Sequence, residues 1–351
     1  MSADRQILLE TSDLTIGYPK RNDLFVDLNL SLEQGSLNCL MGPNGSGKST
    51  LLKTLTGLMK PVGGEIRIMG DPYLLKKPMR RARAFSVVLT GSPQTGLLRV
   101  RELVALGRHP YTGWAGNYDK KDRDKVQWAL EAVRATALAD RMLHTLSDGE
   151  RQRVMVARAL AQDTPLVFLD EPTAYLDLPH RIELMHIFRR LTHECGLTLL
   201  MSTHDLELSL QYADNLWLLG ESRHCEFGTP EDLLLDGKLE KVFGHHELDF
   251  DRERGVFHAR TNFHTLVSLH GHTVAAKWTR NALEKLGIGI TDGDDARFDI
   301  EVSLNGSEES FVWKYSGDLG SGESYSVSEL IRAIKQNGFS RHPTPTSAKG
   351  L

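Results

Sequence analysis

Residues 7–16 read ILLETSDLTI and residues 24–32 read LFVDLNLSL, with apolar and polar positions alternating in both. A period of two suits a half-buried antiparallel strand, because successive side chains leave opposite faces. A compact apolar run at Leu37–Met41 then leads into a glycine-rich loop, and helical spacing takes over at Lys48–Leu58. Val126, Leu130 and Val133 recur at helical spacing among charged residues, which predicts an amphipathic helix over Asp119–Leu138. The spacing further predicts a helix over Asp148–Gln162, a buried strand at Leu166–Leu169, a helix over Pro179–His193 and a strand at Leu197–Ser202. Strands alternating with helices predict a mostly parallel α/β sheet.

The pattern changes near residue 245. Thr229-Pro230-Glu231 opens a short helix ending near Phe243. Beyond it come predicted strands at Val256–Ala259 and Thr265–Leu269, a helix at Ala276–Leu286, strands at Phe298–Val302 and Phe311–Tyr315, and a helix at Val327–Gln336. That ββαββα order predicts a small α+β domain over residues 250–340, with Trp278 and Trp313 as core aromatics. Residues 341–351 carry no periodicity and read as a flexible tail.

Composition narrows the class. A chain of 351 residues suits two domains, and 40% apolar with 25% charged residues suits a folded soluble protein. A net charge of −4 leaves no footprint for nucleic acid or anionic lipid. Cys39, Cys195 and Cys225 form no CxxC pair and fit a reducing compartment. No apolar stretch approaches the roughly 20 residues that span a bilayer, and MSADRQILLE lacks the basic segment and apolar core of a signal peptide. A cytosolic protein is expected, reaching any membrane process by docking onto another chain.

The glycine-rich loop carries the chemistry. Gly42-Pro43-Asn44-Gly45-Ser46-Gly47-Lys48-Ser49-Thr50 fits G-x-x-x-x-G-K-[ST] between a strand and a helix. Its glycines bring backbone N–H groups close to phosphate oxygens, and the helix start adds its positive dipole end. Lys48 is expected to reach the β- and γ-phosphates of ATP, and Ser49 to ligate Mg²⁺. Downstream, the apolar strand Leu166-Val-Phe-Leu-Asp170-Glu171 ends in two acids at the edge where α/β ligands sit. Asp170 suits Mg²⁺, and Glu171 suits polarisation of an attacking water.

Leu146-Ser147-Asp148-Gly149-Glu150, followed by RQRVMVARAL, resembles the signature of the ATP-binding cassette proteins, which usually reads LSGGQ. Asp148 and Glu150 depart from it, while Ser147 keeps the helix cap and Gly149 the backbone access. Other segments match in family order: Tyr18 for the adenine-stacking aromatic, Thr173-Ala-Tyr-Leu-Asp177 for the D-loop, and His204 in Met201-Ser-Thr-His-Asp205 for the switch histidine. The resemblance covers about 230 residues. It implies a P-loop NTPase fold: a RecA-like α/β core, an antiparallel β subdomain and a helical subdomain at about residues 95–160, all within residues 1–245. The family's metal-sensing glutamine falls by spacing on Thr90, with Gln94 as the alternative.

The resemblance implies a homodimer in which each ATP lies between the phosphate loop of one cassette and Ser147 and Gly149 of the other. It also implies an integral-membrane permease and, through it, a periplasmic substrate-binding protein, with the chain peripheral at the cytoplasmic face of the inner membrane. Arg101-Glu-Leu-Val-Ala-Leu-Gly-Arg-His-Pro-Tyr111 resembles the importers of ferric siderophores, haem and cobalamin. The alternatives are an ABC transporter of another cargo class and a soluble ABC-type ATPase of DNA repair or translation; the latter usually carries two cassettes or a coiled-coil insertion, and no sustained heptads occur here. His245, His246, His258, His264, His270 and His272 crowd the start of the C-terminal region. A metal-sensing regulatory site and scattered surface histidines are the two readings, the second favoured because no tight ligand spacing appears.

Overall fold

The computed structural model describes residues 6–18, 23–72, 74–89, 98–112, 118–220, 225–244, 248–252, 255–260, 263, 265–271, 273–293, 295–305, 310–318 and 320–336. The chain divides into two compact units, Met1–His258 and Ala259–Leu351.

In the first unit a six-stranded sheet runs in the order Cys225–Gly228, Asn215–Leu219, Leu37–Met41, Thr198–Ser202, Leu166–Asp170, Phe85–Val88. Neighbours are parallel except for the edge strand Cys225–Gly228. Every position of Leu37–Met41, Leu166–Asp170 and Thr198–Ser202 is buried, as parallel strands covered on both faces require. One face sends Leu37, Cys39, Val167 and Leu169 into a core with helices Asp148–Ala161 and Leu178–His193. The other sends Leu40, Phe168, Leu200 and Trp217 into a core shared with helix Lys48–Leu55 and an antiparallel sheet.

In that antiparallel sheet Ile7–Gly17 pairs with Asp23–Leu28, Ser31–Glu33 and Gly63–Ile68. The single strand expected over residues 24–32 is therefore two. Thr11 explains the break: its hydroxyl donates to Leu28 O at 2.7 Å and accepts from Leu30 N at 2.9 Å, taking over bonds of the ladder. The helix expected over residues 119–138 stops at Ala132, and Thr136–Leu138 is a separate 3₁₀ turn. Arg134 between them has φ 55°, where a right-handed helix cannot continue. Gly237, at φ 68°, likewise splits the helix expected to end near Phe243 into Pro230–Leu235 and Lys238–Phe243.

The second unit holds a five-stranded sheet ordered Ile288–Ile290, Thr265–His270, Phe298–Leu304, Phe311–Gly317, Gly322–Ser324. Val267, Phe298, Ile300 and Trp313 share its core with Ala276 and Leu283 of helix Val274–Glu284 and with Leu330 and Ile334 of helix Val327–Gln336. The expected ββαββα order needs correcting. Val256–Ala259 pairs with Leu248–Asp251 instead, and Ile288–Ile290 and Gly322–Ser324 are added strands, each too short to show a period. Trp313 is buried, its Nε1–H donating to Thr279 Oγ1 at 2.6 Å. Trp278 is 59% exposed and is not a core aromatic, because it lies off the helix stripe of Ala275, Ala276, Thr279 and Leu283.

His245, His246, His264 and His272 lie outside the described residues, as do Thr90 and Gln94. Among the described residues no group of three or more His, Cys, Asp or Glu is placed to hold a metal ion. His270 Nε2 pairs with Ser268 Oγ at 2.8 Å. Among the described residues no helix is long and apolar enough to cross a membrane.

Candidate active site

Leu37–Met41 and Leu166–Asp170 flank Thr198–Ser202 and run parallel to it. The segments that follow these strands therefore leave the sheet at one edge, where the carboxyl ends of parallel strands gather ligands.

At that edge Gly42, Gly45 and Gly47 have φ of 155°, 80° and 100°. A Cβ on Gly42 would collide with the carbonyl oxygen of Leu219, so no other residue fits there. Ser46 N donates to Pro43 O at 3.1 Å, which closes the turn, and Asn44 stands exposed at its tip. Lys48 opens helix Lys48–Leu55 and is buried, its Nζ donating to Gly42 O at 2.8 Å and Pro43 O at 3.0 Å. Burial pulls the Lys48 ammonium below the ordinary lysine range, while Glu171 and Asp170 pull it partly back. The loop is wrapped around its own cation. The Tyr18 hydroxyl shares a hydrogen bond of 3.2 Å with Thr50 Oγ1, which brings its half-exposed ring beside the helix start.

Asp170 ends its strand with one carboxylate oxygen accepting from Ser202 Oγ at 2.7 Å and from Ser49 Oγ at 3.3 Å. Ser202 Oγ in turn accepts from Glu171 N at 2.9 Å. Glu171 has φ 48°, an uncommon conformation for a residue with a side chain, so the chain bends sharply where the acid is presented. His204 is exposed two residues beyond Ser202, and Asp205 caps helix Leu206–Tyr212 through Leu208 N at 3.2 Å. Ser202 joins both acids, and the sequence reading passed over it. Its signal was a hydroxyl at the end of an apolar strand, immediately before Thr203-His204.

Ser147 and Gly149 are built differently. Ser147 caps helix Asp148–Ala161: its Oγ accepts from Glu150 N at 3.3 Å, while its own N–H donates to Glu150 Oε2 at 2.9 Å. Glu150 closes a reciprocal capping box, a role that the glutamine usual in the family also fills. Arg141 Nη1 adds a bond to Glu150 Oε1 at 2.8 Å. Asp148 is exposed, with Arg151 Nη1 at 3.9 Å and the positive end of the helix beneath it. The bond from Ser147 N–H, with help from Arg141 and against some burial, holds the Glu150 carboxyl below the ordinary glutamate range. A depressed carboxylate stabilises the fold above its unfolded pKa, about 4.3, and that contribution fades as pH falls through the folded value. Glu150→Ala should therefore cost about 1 kcal/mol at neutral pH, with the deficit shrinking in acid. Urea unfolding at pH 7 and pH 4 would check this, and an equal deficit at both would refute it.

Asp177 caps helix Leu178–His193 through His180 N at 3.1 Å. Its carboxyl is held below the usual range first by the bond to the His180 ring and then by that backbone N–H. Lys48, Ser49, Asp170 and Glu171 thus meet with His204 at one sheet edge. Among the described residues neither Ser147 nor Gly149 hydrogen-bonds to the phosphate loop.

The GRHPY segment is more than a helix end. Gly107 packs so closely on the Arg158 carbonyl that a Cβ would overlap it. Arg108 is buried, donating from Nε to Asp122 Oδ1 at 2.8 Å and from Nη1 to Ala161 O at 2.8 Å. The segment fastens the helix that carries Ser147.

Comparison with known proteins agrees with this geometry. Residues 25–174 match the ABC transporter family model, and residues 264–335 match the iron ABC transporter C-terminal domain. An uncharacterized ABC transporter ATP-binding protein of Methanocaldococcus jannaschii, MJ0873, is 36% identical over 256 residues, covering 73% of this chain and 88% of the relative. The petrobactin import ATP-binding protein FpuD of Bacillus anthracis is 37% identical over 238 residues, covering 68% of this chain and 87% of FpuD. Among solved structures, the dimeric structure of MJ0796, a bacterial ABC transporter cassette, aligns with a TM-score of 0.53 at 26% identity, over 63% of this chain and 98% of that one. The phosphate loop, the acid-ended strand and the capped signature helix, with these likenesses, place the chain in the ATP-binding cassette family as an ATP-binding and ATP-hydrolysing subunit of an ABC transporter.

Proposed function

We propose that two copies of this chain enclose ATP and energise import of an iron complex, a ferric siderophore first. The split site carries the first half of that reading: Lys48, Ser49, Asp170 and Glu171 meet at one edge, and Ser147 makes its bonds elsewhere. A second copy, as in the dimeric MJ0796 structure, supplies Ser147 and Gly149 to the phosphates. Tyr18 stacks the adenine. Gly42, Gly45 and Gly47 cradle the phosphates by their backbone N–H groups, Pro43, Asn44, Ser46 and Thr50 complete the loop, and Lys48 neutralises charge as it develops. Glu171 orients the attacking water, His204 contacts the γ-phosphate, and Asp177 borders the neighbouring copy. The Ser49 hydroxyl and the Asp170 carboxylate, 3.3 Å apart, form a hard-oxygen donor pair that fits Mg²⁺. When bound there, Mg²⁺ supplies charge neutralisation for the phosphate oxygens.

Residues 1–245 form the cassette in this reading, with about 95–160 as its helical subdomain, and residues 250–340 regulate it. The chain docks on a membrane permease at the cytoplasmic face, fed by a periplasmic binding protein. The family of residues 264–335 and the petrobactin relative support iron-complex cargo. Liposomes holding the candidate permease, its binding protein and this chain should take up ferric siderophore in an ATP-dependent way, in preference to haem and cobalamin. A chain lacking residues 250–351 should transport at an altered rate. Uptake of none of the three would refute import, and an unaltered rate would refute regulation.

A further inference from the structure

The first turns of helix Leu178–His193 touch segments that the proposed reaction uses and that lie far apart in sequence. His180 donates its backbone N–H to Asp177 Oδ1 at 3.1 Å, and its Nδ1 is bonded to the same oxygen. The imidazole so held lies against Gly149, where a Cβ would stand 3.2 Å from ring Cδ2 and 3.3 Å from Cγ. Arg181 reaches another way, its Nη1 donating at 2.8 Å to Oδ2 of Asp205, the residue directly after His204. Glu183, less than one turn further, accepts from Arg153 Nη1 of the signature helix at 3.0 Å.

One helix is thus pinned to Asp177, to the signature helix at Gly149 and Arg153, and to the His204 loop. Packed elements shift as bodies with few discrete arrangements, so a movement at Asp177 is passed to both. Gly149 acquires a second reason to lack a side chain, since the imidazole needs the space. We infer that His180 and Arg181 are positioning residues, through which the start of this helix fixes the signature of one chain relative to its own His204 loop. That keeps the half-site a chain lends and the half-site it retains in register. The inference rests on the two-copy enclosure proposed above.

The test uses the Glu171→Gln full-length protein, which should pair when ATP is added. His180→Ala in that background should weaken ATP-driven pairing about tenfold, read by sedimentation, with the affinity of the single chain for a fluorescent ATP analogue unchanged. His180→Asn should restore pairing, because its amide N–H can donate to Asp177 in place of Nδ1–H. Unfolding midpoints of Gly149→Ala, His180→Ala and the double variant should be non-additive, because removing the ring makes room for the added methyl. Pairing of His180→Ala equal to its parent overturns the inference, as does Asn no better than Ala, or strict additivity. If Glu171→Gln itself fails to pair with ATP, the enclosure falls and the inference with it. If the parent pairs and the His180 variants pair as well, the inference alone falls.

Discussion

Glu171→Gln should lower kcat by roughly 10²- to 10³-fold, leave ATP affinity near that of the parent, and cause an ATP-bound dimer to accumulate on gel filtration. The substitution is close to isosteric. It keeps the φ of 48° and the bond from the residue 171 backbone N–H to Ser202 Oγ, so the strand end and Asp170 stay in place. What it removes is a carboxylate able to take a proton from water. It also removes one of the two charges that favour protonated Lys48, yet Asp170 remains beside it, so the loop keeps its cation. Loss of turnover without loss of binding is then the signature of a base. Hydrolysis at the parental rate would show that another group orients the water, and equal loss of binding and turnover would show that Glu171 serves the ground state.

Much of this site was legible without coordinates because its chemistry needs rare residues at fixed spacing. Gly42 must be glycine, Lys48 must follow at six residues, and the helix begins at Lys48 as expected. The fully buried strand Leu166–Asp170 was visible because its apolar run ends abruptly in two acids. Other strands of the same sheet were not. Phe85–Val88 has four residues, and Asn215–Leu219 is an unbroken apolar run after its first residue, so neither shows a period that separates strand from helix. Contacts across long sequence gaps were invisible for a different reason. Ser202 serves Asp170 and Glu171, and Arg181 serves Asp205, yet a serine and an arginine are ordinary residues whose roles come only from neighbours. Trp278 was misplaced because a tryptophan in an amphipathic helix suggests the core, whereas Ala275, Thr279 and Leu283 define the inward stripe.

Arg108→Ala should destabilise the first unit by about 3–5 kcal/mol, the largest stability loss expected from one substitution here. The side chains of Arg108 and Asp122 are 2% and 7% exposed, and the guanidinium stacks over Tyr111 at 4.1 Å from the ring centroid. Removing the cation strands a buried carboxylate and leaves Ala161 O without its Arg108 donor. Lysine would keep the charge yet cannot serve Asp122 and Ala161 together, so Arg108→Lys should lie between. Replacing both partners, as Arg108→Met with Asp122→Leu, should recover much of the loss, since no charge is then buried. Burial alone pushes the Asp122 carboxyl upward, but the Arg108 guanidinium and the Asp119 backbone N–H outweigh it and hold the group below the ordinary range. The parent therefore gains stability above the unfolded pKa of about 3.9 and loses it as pH falls through the depressed folded value. In Arg108→Ala the burial effect is less opposed, so protonation relieves the strain and the gap from the parent narrows in acid. Urea titrations at pH 7 and pH 4 measure both quantities. A deficit under 1 kcal/mol, or one that widens in acid, would mean the pair does not hold the signature helix. Because Arg108 binds the far end of the helix whose first turn is capped by Ser147, the same variant tests whether that end must be anchored for ATP-driven pairing.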